Sequence, residues 1–70
     1  MHMSEHIKNE VHRFRMNRGV TQEQLADAVG VSRQTIIAIE KGNYTPSVLL
    51  ALKIARYFKE STDTIFILTP

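Results

Sequence analysis

Apolar residues in the first quarter of the chain recur every three or four positions. Ile7, Val11 and Phe14 are spaced i, i+4 and i+7, which places them along one side of a helix. Gly19 follows them, and glycine readily takes the backbone conformation that ends a helix. The pattern predicts a first helix from about Ser4 to Arg18 with a single buried stripe.

The next stretch, VTQEQLADAVGVSRQTIIAIEKG at residues 20–42, predicts two short helices joined by a sharp corner. Thr21 and Gln24 have the spacing of a capping box, so a helix is expected to start there. Gly30 stands where that helix should end, and Ser32 offers a second N-cap only two residues later. So few residues between the helices leave room only for a tight turn.

The second of these helices has an apolar side and a polar start. Ile36 and Ile39 lie on the apolar side, and Gly42 stands where the helix stops. The residues left facing outward at its start are Arg33, Gln34 and Thr35. Arginine can bind guanine O6 and N7, and glutamine can pair with adenine N6 and N7, so this start suits the edges of bases in a DNA major groove.

A fourth helix follows Pro46, with Ser47 as its cap, and its apolar residues cover more than half of its circumference. The side that we expect to face the core comprises Val48, Ala51, Leu52, Ala55 and Phe58. A second stripe beside it comprises Leu50, Ile54 and Tyr57. A short final helix is predicted over about residues 62–66, within an apolar C-terminal run.

This wide apolar arc exceeds what one small core needs, so we expect the final helix and a second subunit to cover it together. Symmetric dimers are the commonest oligomers, and a small chain gains stability from forming one. The predicted dimer surface comprises Leu50, Ile54, Tyr57, Ile65, Phe66, Ile67 and Leu68.

Residues 20–42 resemble the helix-turn-helix of the Cro and phage-repressor type, the XRE family of transcriptional regulators. The resemblance extends over about residues 5–68 and implies an all-α, compact five-helix fold like that of the lambda repressor, in one domain spanning residues 1–70. It implies a phosphate contact by Gln22 and a structural ion pair between Arg15 and Glu40, whose loss would strand a charge. It implies base contacts by Arg33, Gln34, Thr35 and Ile37.

Further contacts to the DNA backbone are predicted around the second helix of the motif. Ser32 can hold a phosphate, because helix starts bind anions, and Lys41, Asn43 and Tyr44 follow the helix where a DNA strand should pass. Two alternatives stay open here. Ile37 either contacts a thymine methyl group or packs against a neighbouring turn, and Tyr44 either contacts the backbone or packs on helix 4.

The chain departs from the family pattern after helix 4. Family members often have glycine there, followed by a buried apolar corner, whereas this chain has Lys59-Glu60-Ser61-Thr62. No glycine is present to take the left-handed conformation at the helix end.

The composition fits a small intracellular protein. The 70 residues are 43% hydrophobic but only 7% aromatic, which predicts a compact aliphatic core, and the absence of cysteine excludes disulfides and favours the cytoplasm. The net charge of +2 is unevenly distributed, since between residues 33 and 59 only Glu40 opposes a group of cations. These cations are Arg33, Lys41, Lys53, Arg56 and Lys59. They suit a polyanionic partner, and the alternative that stays open is a solvated basic face without a ligand.

Catalysis, metal binding, cofactors and membrane insertion are not expected. The histidines, His2, His6 and His12, lack the further ligands of a metal site, and the glycines stand singly at helix ends rather than in a phosphate loop. No apolar run approaches the roughly 20 residues of a membrane span. We expect residues 1–3 to be disordered, and the sequence does not decide whether they are native.

The sequence therefore predicts a regulator that binds double-stranded DNA sequence-specifically. We expect a homodimer that represses transcription from a near-palindromic operator, without a small-molecule effector. A controller of a restriction system is a variant that the sequence does not separate from this prediction. The alternative is a protein-interaction module, such as an antitoxin, that uses the apolar surface of helix 4 and the C-terminal run.

Overall fold

The structure is a computed structural model that describes residues 5–70, and it contains five helices and two short strands within that range. In chain order these elements are β1 (His6–Asn9), α1 (Val11–Arg18), α2 (Gln22–Val29), α3 (Arg33–Glu40), α4 (Val48–Phe58), α5 (Thr62–Ile65) and β2 (Phe66–Thr69). The predicted five-helix fold is confirmed, with a small sheet added to it. The predicted disorder of residues 1–3 and the helix start at Ser4 lie outside the described residues.

The caps that predicted the two central helices are present. The hydroxyl of Thr21 accepts a hydrogen bond from the Gln24 N–H at 3.0 Å, and the Gln24 side chain accepts one from the Thr21 N–H at 2.9 Å. Gly30 ends α2 with a φ of 80°, where a side chain would be strained. The Ser32 hydroxyl then accepts the Thr35 N–H at 3.2 Å and starts α3. The tight turn between the helices follows from these contacts.

The first predicted helix is wrong before Val11, because the chain from His6 to Asn9 is a strand. β1 pairs with β2 in an antiparallel two-stranded sheet, so that Ile7 lies opposite Leu68 rather than in a helical stripe. Asn9 secures the junction with α1: its Oδ1 accepts the Val11 N–H at 3.1 Å, and its Nδ2 donates to the Ile39 carbonyl at 2.8 Å.

The predicted orientation of α4 is also wrong in part. Its buried side comprises Leu50, Ile54, Ala55 and Phe58, of which only the last two were assigned to the core. Val48 and Leu52, which were predicted to be buried, are 76% and 51% exposed. The exposed Leu49 and Leu52 share a face with two cations, Lys53 and Arg56, at i+4. Because charged side chains are costly to bury, these cations keep that face in water.

The core lies between α1, α2, α3, α4 and α5 and is aliphatic. Its fully buried large side chains are Val11, Leu25, Ile36, Ile39, Ile54 and Ile65. Phe58 adds aromatic packing, with its ring centroid 5.9 Å from that of Phe14. Since α3 contributes Ile36 and Ile39 to this core, one of its faces is fixed inside and the opposite face is turned outward.

The corner after α4 forms without glycine. Lys59 takes the left-handed conformation with a φ of 59°, and the N–H groups of Lys59 and Glu60 bond the carbonyls of Arg56 and Ala55. Separately, none of the helices within residues 5–70 has the length and apolar character needed to cross a bilayer.

Candidate nucleic-acid interface

The start of α3 is open to solvent. Arg33 and Gln34 are exposed, while Thr35 and Ile37 are half-buried on the same helix. Ser32 caps the first turn of α3, and its hydroxyl also lies 3.1 Å from the hydroxyl of Thr35. The four predicted base-contacting residues thus lie within the first five positions of α3, where Arg33 and Gln34 are exposed and Thr35 and Ile37 are partly exposed.

A shallow cleft, here called the α2-side cleft, lies beside this start. It is lined by Arg15, Thr21, Gln22, Glu23 and Arg33. The cleft joins the beginning of α2 to the beginning of α3, and the first backbone N–H groups of a helix have no acceptor within the helix. Such N–H groups can hold a phosphate, as the sequence predicted for Gln22.

Gln22 is also tied to the far end of α3. Its Nε2 donates a hydrogen bond to Glu40 Oε1 at 3.2 Å. This contact was not predicted, and the sequence carries no local signal for it, because the two residues are 18 positions apart. The predicted phosphate-binding side chain is therefore held in place by the ion pair behind it.

Arg15 and Glu40 form a two-pronged ion pair whose side chains are 9% and 7% exposed. Arg15 Nε donates to Glu40 Oε2 at 2.7 Å, and Arg15 Nη2 donates to Glu40 Oε1 at 3.1 Å. Arg15 Nη1 donates to the Val20 carbonyl at 2.9 Å, and His12 Nδ1 lies 3.3 Å from Glu40 Oε1. The pair links α1 to the end of α3.

Burial alone would raise the pKa of Glu40, but the hydrogen bonds from Arg15 and Gln22 and the charge of Arg15 outweigh it. The pKa of Glu40 therefore lies below its usual value. The hydrogen bond and charge of Glu40 likewise raise the pKa of Arg15 against the opposing effect of burial. Both groups are charged at neutral pH, and each neutralises the other.

A second cleft, the α4-side cleft, lies beside α3 as well. Its polar lining residues are Thr35, Tyr44, Ser47 and Lys53, and its other lining residues are Gly30, Val31, Leu49 and Leu50. Tyr44 is exposed, so its ring remains accessible. Lys53 was not among the predicted site residues, although it belongs to the group of cations found after residue 32.

The remaining predicted backbone contacts lie at the other end of α3. Lys41 and Asn43 are exposed, and the Asn43 N–H bonds the Ala38 carbonyl at 2.9 Å as the chain leaves the helix. Lys41 lines a groove with Asn9 of β1 and Gly42. The structure therefore separates Lys41 and Asn43 from the two clefts at the helix start.

The predicted dimer surface is divided by the fold. Leu50, Ile54 and Ile65 are buried within a single chain, so assigning them to a surface between subunits is wrong for this conformation. They are buried because α4 is oriented with Leu50 and Ile54 toward the core and because α5 packs against α4. Of the others, Tyr57, Phe66 and Ile67 are half-buried, and Leu68 is 66% exposed.

Within residues 5–70 the structure shows no group of three or more histidine, aspartate or glutamate side chains that could hold a metal ion. The ion pairs of the described residues are confined to the first half of the sequence on the cation side. Lys8 and Arg13 contact Glu10, and Arg15 contacts Glu40, whereas the ion pairs of the described residues involve no cation after residue 32.

Two short helices joined by a tight turn, with the second buried on one face and open at its polar start, define a helix-turn-helix module. The family model described as helix-turn-helix (HTH_3) matches residues 11–65. The chain therefore belongs to the Cro/XRE-type helix-turn-helix family of transcriptional regulators, a family of DNA-binding proteins.

Individual proteins show the same relationship. The chain is 54% identical over 61 residues to the uncharacterized HTH-type transcriptional regulator MJ0272 of Methanocaldococcus jannaschii, covering 87% of this chain and 92% of that protein. It is 30% identical over 52 residues to the cryptic phage CTXphi transcriptional repressor RstR of Vibrio cholerae, covering 74% and 47% of the two chains. The crystal structure of the restriction-modification controller protein C.AhdI of Aeromonas hydrophila matches with a TM-score of 0.72 at 26% identity, covering 77% and 82%.

Proposed function

We propose that this chain forms a single domain that binds double-stranded DNA sequence-specifically and represses transcription in the cytoplasm. The observation that carries the proposal is the open, capped start of α3, where Arg33 and Gln34 are exposed. A helix presented in this way fits into the major groove with its first turn facing the bases.

The side chains at this start have distinct roles in the proposal. Arg33 binds O6 and N7 of a guanine, and Gln34 pairs with N6 and N7 of an adenine. The Thr35 hydroxyl and the exposed part of Ile37 contact the neighbouring base pairs, with Ile37 touching a thymine methyl group. These contacts set which sequence is bound.

A second group of residues holds the DNA backbone. Gln22 and the N–H groups at the start of α2 bind one phosphate, and Ser32, Lys41, Asn43 and Tyr44 contact others. These contacts orient the protein on the duplex without reading its sequence. Replacing Lys41 with alanine should therefore weaken binding to every duplex, whereas Gln34→Ala should change the preference at one or two base pairs.

We further propose that the active form is a homodimer on a near-palindromic operator. Two copies related by a two-fold axis place their α3 helices in successive major grooves about 34 Å apart. Tyr57, Phe66, Ile67 and Leu68 are the predicted interface residues that stay accessible. Repression by occupying an operator needs no further domain, and the similarity to the RstR repressor supports this role.

Selection of bound duplexes from a random pool, followed by binding measurements on the selected sequence, tests the proposal. We expect two inverted half-sites and a two-to-one complex in sedimentation. Gln34→Ala should select a changed half-site, whereas Lys41→Ala should select the original one with lower affinity. Enrichment of no sequence, or a Gln34→Ala chain that selects the same motif as the unchanged protein, would contradict sequence-specific recognition through α3.

A further inference from the structure

The α2-side cleft and the α4-side cleft lie on opposite sides of the first turn of α3. Arg33 lines the first cleft and Thr35 lines the second. Two positions along a helix correspond to a rotation of about 200°, so these side chains leave the helix in nearly opposite directions. A helix inserted into the major groove lies between two ridges of phosphates. Each cleft therefore faces a different ridge when the start of α3 enters the groove.

The two clefts differ in charge. The α2-side cleft contains the carboxylate of Glu23, and the charge of its Arg15 is neutralised by Glu40. No aspartate or glutamate lines the α4-side cleft, where Lys53 supplies a positive charge. An anion entering the α4-side cleft thus meets an ammonium group without an opposing carboxylate.

Lys53 is available for such a contact. Lys53 is exposed, and the ion pairs of residues 5–70 do not include it. It also borders two neighbouring grooves that contain Asp27 and Glu60, but neither carboxylate lies within ion-pair distance of its ammonium group.

Lys53 lies on α4, which is fixed against the core by Ile54 and by the Ser47 cap, whose hydroxyl accepts the Leu50 N–H at 3.1 Å. The exposed Tyr44 lines the same cleft from the loop before α4. The backbone of Lys53 is therefore held in a fixed position by α4.

We infer that the α4-side cleft is a phosphate site in which Lys53 binds the DNA strand opposite the one held by Gln22. This inference rests on the proposed function, because the phosphate belongs to the duplex whose bases α3 reads. Tyr44 adds a neutral hydrogen-bond donor to the same site. With Gln22 on one side of α3 and Lys53 on the other, phosphate contacts to both strands hold α3 in the major groove.

The test compares Lys53→Gln with a matched control, Lys59→Gln. The control removes the same charge six residues later, just beyond the end of α4. Affinities of the full chain for the selected duplex and for an unrelated duplex are measured between 0.05 and 0.3 M salt. Lys53→Gln should lower the slope of log affinity against log salt by about 0.9 per subunit, which corresponds to about eightfold weaker binding at 0.1 M salt. The loss should be similar on both duplexes, and Lys53→Arg should restore the slope.

A neutral phosphate supplies the second arm of the test. Methylphosphonates are placed one at a time along both strands of the selected duplex, and each duplex is bound to the unchanged protein and to Lys53→Gln. At the phosphate that Lys53 contacts, the difference in affinity between the two proteins should disappear. The same scan with Gln22→Ala should identify the phosphate that Gln22 contacts. We expect the phosphates of Lys53 and Gln22 to lie on opposite strands.

Several outcomes would overturn the inference. A Lys53→Gln chain with the salt slope of Lys59→Gln would show that Lys53 contacts no phosphate. A loss confined to the selected duplex would place Lys53 at a base, and a shared strand for Lys53 and Gln22 would contradict the two-sided arrangement. If the unchanged protein bound no duplex at low salt, the proposed function would fail as well, and this result is distinct from the other three.

Discussion

The two ends of α3 differ in how many hydrogen bonds and ion pairs they form with the rest of the protein. At the C-terminal end, Glu40 receives hydrogen bonds from Arg15 and Gln22, and the Ile39 carbonyl accepts one from Asn9. At the N-terminal end, the side-chain hydrogen bonds found within residues 5–70 are the local ones of Ser32 with Thr35. One end is therefore bonded to α1, α2 and β1, and the other keeps its arginine and glutamine unoccupied.

This difference explains how an exposed helix start can be held still. Side chains that are to contact a ligand cannot also be fully bonded within their own protein. The position of Arg33 and Gln34 is instead determined by the buried Ile36 and Ile39 and by the ion pair at the far end. Preorganising the helix in this way lowers the entropic cost of binding, because less has to be ordered when DNA arrives.

The largest expected effect comes from breaking the bonded end. Glu40→Ala leaves the Arg15 guanidinium nearly buried without its partner, and losses of this kind cost about 3 kcal/mol of folding stability. Urea unfolding should show that decrease, while Asp27→Ala, which removes an exposed carboxylate, should change the stability by less than about 0.5 kcal/mol. Equal effects of the two substitutions would show that the ion pair does not hold the helix.

Acid should remove part of the same contribution. The pKa of Glu40 is lowered in the folded protein, so the unfolded chain takes up this proton first as the pH falls. The contribution is complete above the ordinary value of 4.5 and is lost as the pH falls through the folded pKa below it. Unfolding free energies from pH 7 to pH 3 should decline less steeply for Glu40→Gln than for the unchanged protein. Parallel declines would contradict the assignment.

A smaller effect is expected at the open end. Ser32→Ala removes the hydroxyl that accepts the Thr35 N–H, and loss of an N-cap costs about 1 kcal/mol. Thermal unfolding should show a modest decrease in melting temperature, and Ser32→Asp, which can also cap the helix, should reverse most of it. A decrease as large as that of Glu40→Ala would remove the distinction between the two ends.

The smallest effect on folding is expected for Arg33→Ala. Arg33 is exposed and belongs to none of the ion pairs among residues 5–70, so its loss should alter stability by less than about 0.5 kcal/mol. A stability loss above 1 kcal/mol in urea unfolding would mean that Arg33 supports the fold rather than serving a ligand.

The helix-turn-helix could be predicted because its signals are local. The capping contacts join residues within one helical turn of each other, so the spacing of these residues determines where the helices begin and end. The residues are Thr21 and Gln24, Gly30, and Ser32 and Thr35. The predicted partners Arg15 and Glu40 do form an ion pair, but the resemblance to a known family supplied that pairing. Spacing along the chain gives no means of finding it.

The rest of the fold depends on distant partners. β1 exists because it pairs with a strand about 60 residues later, and nothing near Ile7 distinguishes it from a helical residue. In α4, apolar residues surround most of the helix, so hydrophobic periodicity alone did not identify the buried side. The charges of Lys53 and Arg56 would have identified the exposed side. The left-handed Lys59 is a local exception: the hydrogen bonds from Lys59 and Glu60 to the last turn of α4 close the helix in a conformation that lysine disfavours.

The most direct measurement of the central claim is a set of affinities for the selected operator and its single-base variants, with and without Arg33→Ala. If the open start of α3 reads bases, the unchanged protein should lose about 1–3 kcal/mol when the guanine contacted by Arg33 is replaced. The Arg33→Ala chain should lose almost nothing at that base pair while keeping its discrimination elsewhere. Undiminished discrimination at every base pair in the Arg33→Ala chain would contradict the account.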